Sequence, residues 1–176
     1  DGPGIPSAGY AAGAPLGGIW NALDSEQFGG TATYTTPVLF DVAGATTGVT
    51  LTYDPLGGSI FDLDDDAAST LGDDGQLLDD LTFSSGPSEL RINGLPAGDY
   101  EIYTYAIDPG FPDYMTSVNV VNSASGVQDV GGVFAGTFVQ GITHALHAVT
   151  VTAGQTVTVE IATSAIDNSF NGIQIV

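Results

Sequence analysis

The sequence contains no cysteine, which excludes a disulfide framework and any thiolate metal site and leaves thiol usage silent about compartment. Lysine is absent too. Arg91 is the single basic side chain against 21 acidic ones, and the formal net charge is −20. Nucleic-acid affinity draws on Lys and Arg displacing counterions from phosphate, so DNA and RNA are not expected as partners. Without lysine, a Lys–Asn isopeptide staple is chemically impossible. No apolar run approaches the roughly eighteen residues that cross a bilayer, and no membrane insertion is expected. No basic-then-apolar leader is present, so any signal peptide is expected to have been removed before Asp1.

What remains is a chain of 176 residues, 43% hydrophobic, of a length that suits one domain with its own core. From Ile19 onward, short segments of period two recur between turn signals, which predicts an all-β, antiparallel β-sandwich. Val38, Phe40 and Val42 alternate in this way, as do Val49, Leu51 and Tyr53, Leu90 and Ile92, Val118 and Val120, and Val149 and Val151. The pattern is clearest where Val157, Val159 and Ile161 interleave with Thr156, Thr158 and Glu160. Asn93-Gly94, Asp108-Pro109-Gly110 and Ala153-Gly154 read as turns, and Asn171-Gly172 as a bulge near a last strand.

Two stretches depart from that rhythm. Residues 1–18 hold six glycines and three prolines and read as an extended arm, set apart from a sandwich domain at 19–176. Such an arm frays unless it lies against its own domain or a neighbouring copy. Between Asp73 and Phe83, Leu77, Leu78 and Leu81 fall at helical spacing behind acidic residues, which predicts one short helix. No repeat of fixed period is visible, which argues against a solenoid or propeller.

GGIWNAL at 17–23, LLDD at 77–80, INGLPAGDYEIYTYAIDP at 92–109 and the closing NGIQIV resemble β-sandwich domains of secreted bacterial proteins. Among these are domains of the jelly-roll or galactose-binding-like type in PEP-CTERM-sorted and planctomycete surface proteins. The resemblance implies an exported, noncatalytic module with a jelly-roll-like fold, at the cell surface or outside it, and implies no particular ligand.

Candidate chemistry is concentrated in three places. Eight of the nineteen residues from Asp62 to Asp80 are aspartate, and Asp62, Asp64 and Asp66 are spaced D-x-D-x-D. In a tight loop that spacing turns successive carboxylates onto one hard cation such as calcium. Asp73 and Asp74 extend the candidate metal set, and the alternative is a solvated acidic loop. An EF-hand is not expected, because Ala67 and Asp73 stand where it needs Gly and Glu. Tyr103 and Tyr105 lie on the strand face opposite Tyr100 and Ile102. Exposed, they are a platform for sugar rings; covered, they are core. With Asp108 and Tyr114 they form the candidate ligand face. His144 and His147, the only histidines, sit three apart in a segment of strand pattern, which places them on opposite faces and speaks against a shared metal. No G-x-S-x-G or comparable nucleophile context is present, and no enzyme is expected.

The Gly/Pro arm, the closing strand pattern and the lack of a catalytic constellation, with acidity and the resemblance for location, lead us to expect an extracellular structural subunit that assembles with copies of itself into a filament, sheath or matrix. The alternative is a carbohydrate-binding module or adhesin domain that takes glycans.

Overall fold

The computed structural model describes residues 4–22, 31–59, 61–64, 67–84 and 86–176, leaving aside the side chains of 62–64. The strands are β1 (Tyr34–Thr35), β2 (Thr50–Asp54), β3 (Phe61–Asp64), β4 (Asp80–Ser84), β5 (Ser88–Asn93), β6 (Gly98–Tyr105) and β7 (Met115–Val120). They continue with β8 (Gln128–Val130), β9 (His144–Val151), β10 (Val157–Ala165), β11 (Asn168–Phe170) and β12 (Gly172–Ile175), and one helix, α1 (Asp73–Leu78), precedes β4. All strand pairings are antiparallel. They form a six-stranded sheet in the order β1-β2-β5-β10-β7-β8, a three-stranded sheet β12-β6-β9, and a small sheet β11-β4-β3.

The period-two segments become strands because each has one apolar row to bury. Leu51 and Tyr53, Leu90 and Ile92, Val118 and Val120, and Val157, Val159 and Ile161 bring the six-stranded sheet to one core. Ile102, Ala145, Val149 and Val151 meet them from the three-stranded sheet. The two sheets thus pack face to face as an all-β sandwich. The chain changes sheet between β5 and β6, β6 and β7, β8 and β9, and β9 and β10, a jelly-roll-like crossing. Register supports the reading: Val159 lies opposite Leu90 on one side and Val120 on the other. Gly94 turns with φ 83° and Gly154 with φ 78°, conformations that glycine adopts without a Cβ penalty.

Two expected elements come out differently. Val38, Phe40 and Val42 are 46%, 49% and 68% exposed, and the segment forms no regular strand: Leu39 bonds the backbone of Val49 and Thr47 at 2.9 Å each, and Phe40 makes an isolated bridge to Thr46. The Asp41 carboxylate accepts the amides of Ala43 and Ala45 at 2.9 Å each, and this local turn folds the segment back beside β2 with its apolar row outward. The helix stops at Leu78, with the Asp79 amide returning to the Gly75 carbonyl at 2.9 Å. Beyond it Leu81, Thr82 and Phe83 pair with β3, and Thr82 and Phe83 also with β11. Long-range pairing of β-formers here overrides a helical spacing of leucines. Asn171 and Gly172 lie opposite Tyr105, with the Asn171 amide 3.0 Å from the Tyr105 carbonyl, at the break between β11 and β12.

Candidate functional site

The second apolar cluster lies on the far face of β6 and is built partly from the arm. Leu77, Leu78, Tyr103, Tyr105, Ile107 and Phe134 form its buried part together with Ala14, and Tyr10, Ala12 and Trp20 pack against it. The described residues of the arm therefore lie on their own domain. Ser7 donates from its amide and its hydroxyl to the two oxygens of Asp73, both at 2.6 Å. The Tyr10 hydroxyl donates to Asp74. The Gly13 amide donates to the Tyr105 hydroxyl at 2.9 Å, and Tyr105 donates in turn to Gln174. The Trp20 indole N–H reaches the Tyr10 carbonyl at 3.0 Å.

This geometry locates the aromatic residues singled out in the sequence. Tyr103 and Tyr105 do share the face opposite Tyr100 and Ile102, but they are 6% and 0% exposed. The Tyr105 ring packs edge-on to Phe138 and tilts against Trp20, so this face is core and not a sugar platform. Burial pushes the Tyr105 hydroxyl well above the usual phenol range. Asp108 is also buried; its Oδ1 accepts the amides of Gly110 and Phe111 at 3.0 Å each and shapes the turn after β6. Tyr114 stacks on Phe111, ring centroids 5.2 Å apart and 17° from parallel, and Phe111 is half exposed.

The acidic candidates divide. Asp62 and Asp64 lie in strand β3 rather than a tight loop, Asp62 opposite Thr82 and Asp64 opposite Asp80. Their side chains, and all of Asp66, lie outside the described residues. Asp73 and Asp74 stand in the first turn of α1, where each carries a bond from the arm. The Ser7 hydroxyl and amide hold the Asp73 carboxyl below its usual range.

His144 and His147 do face opposite ways. His144 lies between Tyr103 and Tyr105, ring centroids 5.5 and 5.6 Å away, with the Thr143 hydroxyl 3.0 Å from Nδ1. Its cover is the arm: a Cβ added at Gly13 would stand 2.7 Å from the His144 ring. His147 donates from Nε2 to the Gly126 carbonyl at 2.9 Å. Burial lowers the pKa of both imidazoles, and for His147 the Gly126 bond opposes that shift.

An apolar cleft of about 740 Å³ opens on the β1/β12 side of the sandwich. Leu39, Val49, Leu51, Leu81, Tyr100, Phe170, Ile173 and Ile175 are among its lining. Around it Ile5, Leu16, Ile19, Phe40, Val42 and Val176 are all more than a third exposed. Val176 and Glu101 exchange both backbone bonds at 2.9 Å. By the antiparallel alternation, Ile173 and Ile175 then turn their N–H and C=O groups outward, along an edge of β12 with no further strand among the described residues. The signal for this cleft was present in the sequence as the apolar residues Phe40 and Val42, but their alternation there resembles that of a buried strand.

No family model matches the sequence, and a search of curated proteins finds no match.

Proposed function

We propose that this chain is an extracellular, noncatalytic structural module that assembles with copies of itself. The observation that carries the reading is the open side of the sandwich, where the edge of β12, with no further strand among the described residues, and a rim of exposed apolar side chains border one cleft. Isolated exposed apolar residues are ordinary, but a contiguous rim around an unpaired edge marks a place for another chain. An edge strand accepts a partner by β-augmentation, with backbone bonds giving affinity and apolar pockets giving register. A second copy is the occupant chosen because a contact between different patches of identical chains, when it does not close, extends into a filament. The apolar character of the cleft also avoids setting carboxylate against carboxylate in a chain of charge −20. The resemblance to exported bacterial sandwich domains supports the extracellular location.

Calcium belongs to the same reading. Assembly of so acidic a chain requires that its self-repulsion be screened or neutralised, and the aspartates from Asp62 to Asp74 are the proposed cation ligands. Light scattering and negative-stain microscopy at fixed ionic strength, with calcium and with EGTA, test the assembly. Polymers or defined oligomers are expected; a monodisperse monomer at high concentration in both conditions overturns the reading. The stacked Phe111 and Tyr114 favour a second reading, a glycan-binding module, which a glycan array screened with such a monomer would support.

A further inference from the structure

We propose that residues 4–21 form an exchangeable unit: in the assembly, the arm of one copy occupies the seat on the next. This rests on the self-assembly reading and names the element that joins the copies. The hydrogen bonds described between this unit and the rest of the domain run through side chains. Ser7 and Tyr10 bind Asp73 and Asp74, the Gly13 amide binds the Tyr105 hydroxyl, and Asn21 exchanges two bonds with the backbone of Phe40 at 3.0 and 2.8 Å. No strand of either main sheet is made from the unit, so its departure breaks no ladder. The unit also holds its own shape. The Gly9 amide bonds the Gly18 carbonyl at 2.9 Å, and the Trp20 indole bonds the Tyr10 carbonyl. It can therefore leave and dock as one piece.

Every one of these contacts ends on residue 40 or beyond, and the twelve residues 22–33 separate the unit from β1. Twelve extended residues reach about 40 Å, which is longer than the width of a six-stranded sheet at about 4.8 Å per strand. Exchange requires a neighbour's seat within that reach. Each chain supplies one arm and one seat, so exchange re-forms every contact, and protein concentration sets the balance between the closed and the exchanged forms. The arm also walls the cleft through Ile5, Pro6, Leu16 and Ile19. In the exchanged form each cleft is completed by a neighbour, which ties the exchange to the open side of the sandwich.

The absence of cysteine makes the test clean. Full chains carrying Ser7→Cys alone and Asp73→Cys alone, one of them mass-tagged, are mixed at assembling concentration and oxidised. Tyr10→Cys and Asp74→Cys provide a second pair that reads the same seat. Exchange predicts a disulfide-linked heterodimer from either mixture as the main covalent product, and longer ladders when both cysteines are placed in one chain. The proposal is overturned if the doubly substituted chains cross-link only within themselves and the mixtures give no heterodimer. Polymers of the unsubstituted chain seen alongside that negative result would leave self-assembly standing and remove only the exchange.

Discussion

The two lateral sides of the sandwich are built from the same two sheets and end differently. On the β8/β9 side, the Gln128 side chain acts as a peptide group: its amide donates to the Leu146 carbonyl at 2.6 Å and its carbonyl accepts the Leu146 amide at 3.2 Å. Gln140 braces Gln128 at 2.8 Å, His147 reaches across to Gly126, and the Gly141 amide caps the His144 carbonyl at 2.9 Å. That side is sealed by side chains doing the work of a missing strand. On the β1/β12 side the corresponding side-chain pair, Asn21 on the Phe40 backbone, joins the arm to the Asp41 turn, and no such bridge joins the two sheets among the described residues. There an Asp41 turn carries Phe40 and Val42 outward, and the edge of β12 fronts an apolar cleft. An edge left open beside one that is closed is where a partner is expected.

The largest effect should come from the core that both sides share. Val159 is fully buried, and burying such a side chain is worth on the order of 1.5 to 3 kcal/mol before any charge is introduced. Val159→Asp should abolish the folded circular-dichroism spectrum. Thr158→Asp, on the other face and opposite Arg91, should leave it intact; equal damage from both would mean that the strand is buried on two faces.

Calcium comes next. A ligand that binds the folded state alone adds about 2.7 kcal/mol at a hundredfold excess over its dissociation constant. Melting in EGTA should fall well below melting in millimolar calcium, and Asp64→Asn with Asp66→Asn should remove most of the gap. An unchanged melting temperature at fixed ionic strength would make the cluster a solvated acidic segment.

Breaking the sealed side should cost somewhat less. Gln128→Ala strands the Leu146 amide and carbonyl, and each such group costs about 1 to 3 kcal/mol. The variant should melt several degrees lower; an unchanged melting temperature would mean that water replaces the glutamine and that the sides do not differ in the way described.

A pH titration sharpens the contrast further, because both histidines lie near that sealed side. Burial depresses their pKa below the ordinary 6.5, so below about pH 6.5 the unfolded chain binds more protons than the folded one. Stability should be full above that pH and fall as the pH drops through the depressed folded values. The Asp73 bond to the arm is lost only further down, as the pH falls below the ordinary 3.8 of an aspartate through its own lowered value. His144→Gln should flatten the upper part of the acid loss; an unchanged slope in that variant would show that His144 titrates in the folded domain as it does in the unfolded chain.

Some of this was legible in the sequence and some was not. The row of Val157, Val159 and Ile161 declared its strand because threonine and glutamate occupy the alternate positions. The opposed faces of Tyr100 and Tyr103 followed from the same alternation. Which face is covered did not follow, since the cover includes Ala14 and Trp20, more than eighty residues away in a Gly/Pro-rich stretch with no period of its own. Tyr10 and Ser7 find partners at Asp74 and Asp73, so carboxylates that read as cation ligands also serve as anchors. Leu77, Leu78 and Leu81 sit at helical spacing, yet Leu81 is in a strand, because spacing over so short a segment yields to pairing with β3.

The measurement that tests the open side most directly is sedimentation velocity on two matched sets of surface variants. Val42 and Val133 are equally exposed at 68%, one beside the cleft and the other in the loop after β8. Phe40→Asp and Val42→Asp should leave melting within about 0.5 kcal/mol of the parent, as surface changes do, and give only monomer. Val127→Asp and Val133→Asp should assemble like the parent. Assembly that survives at the cleft and fails at the valines after β7 and β8 would contradict the account.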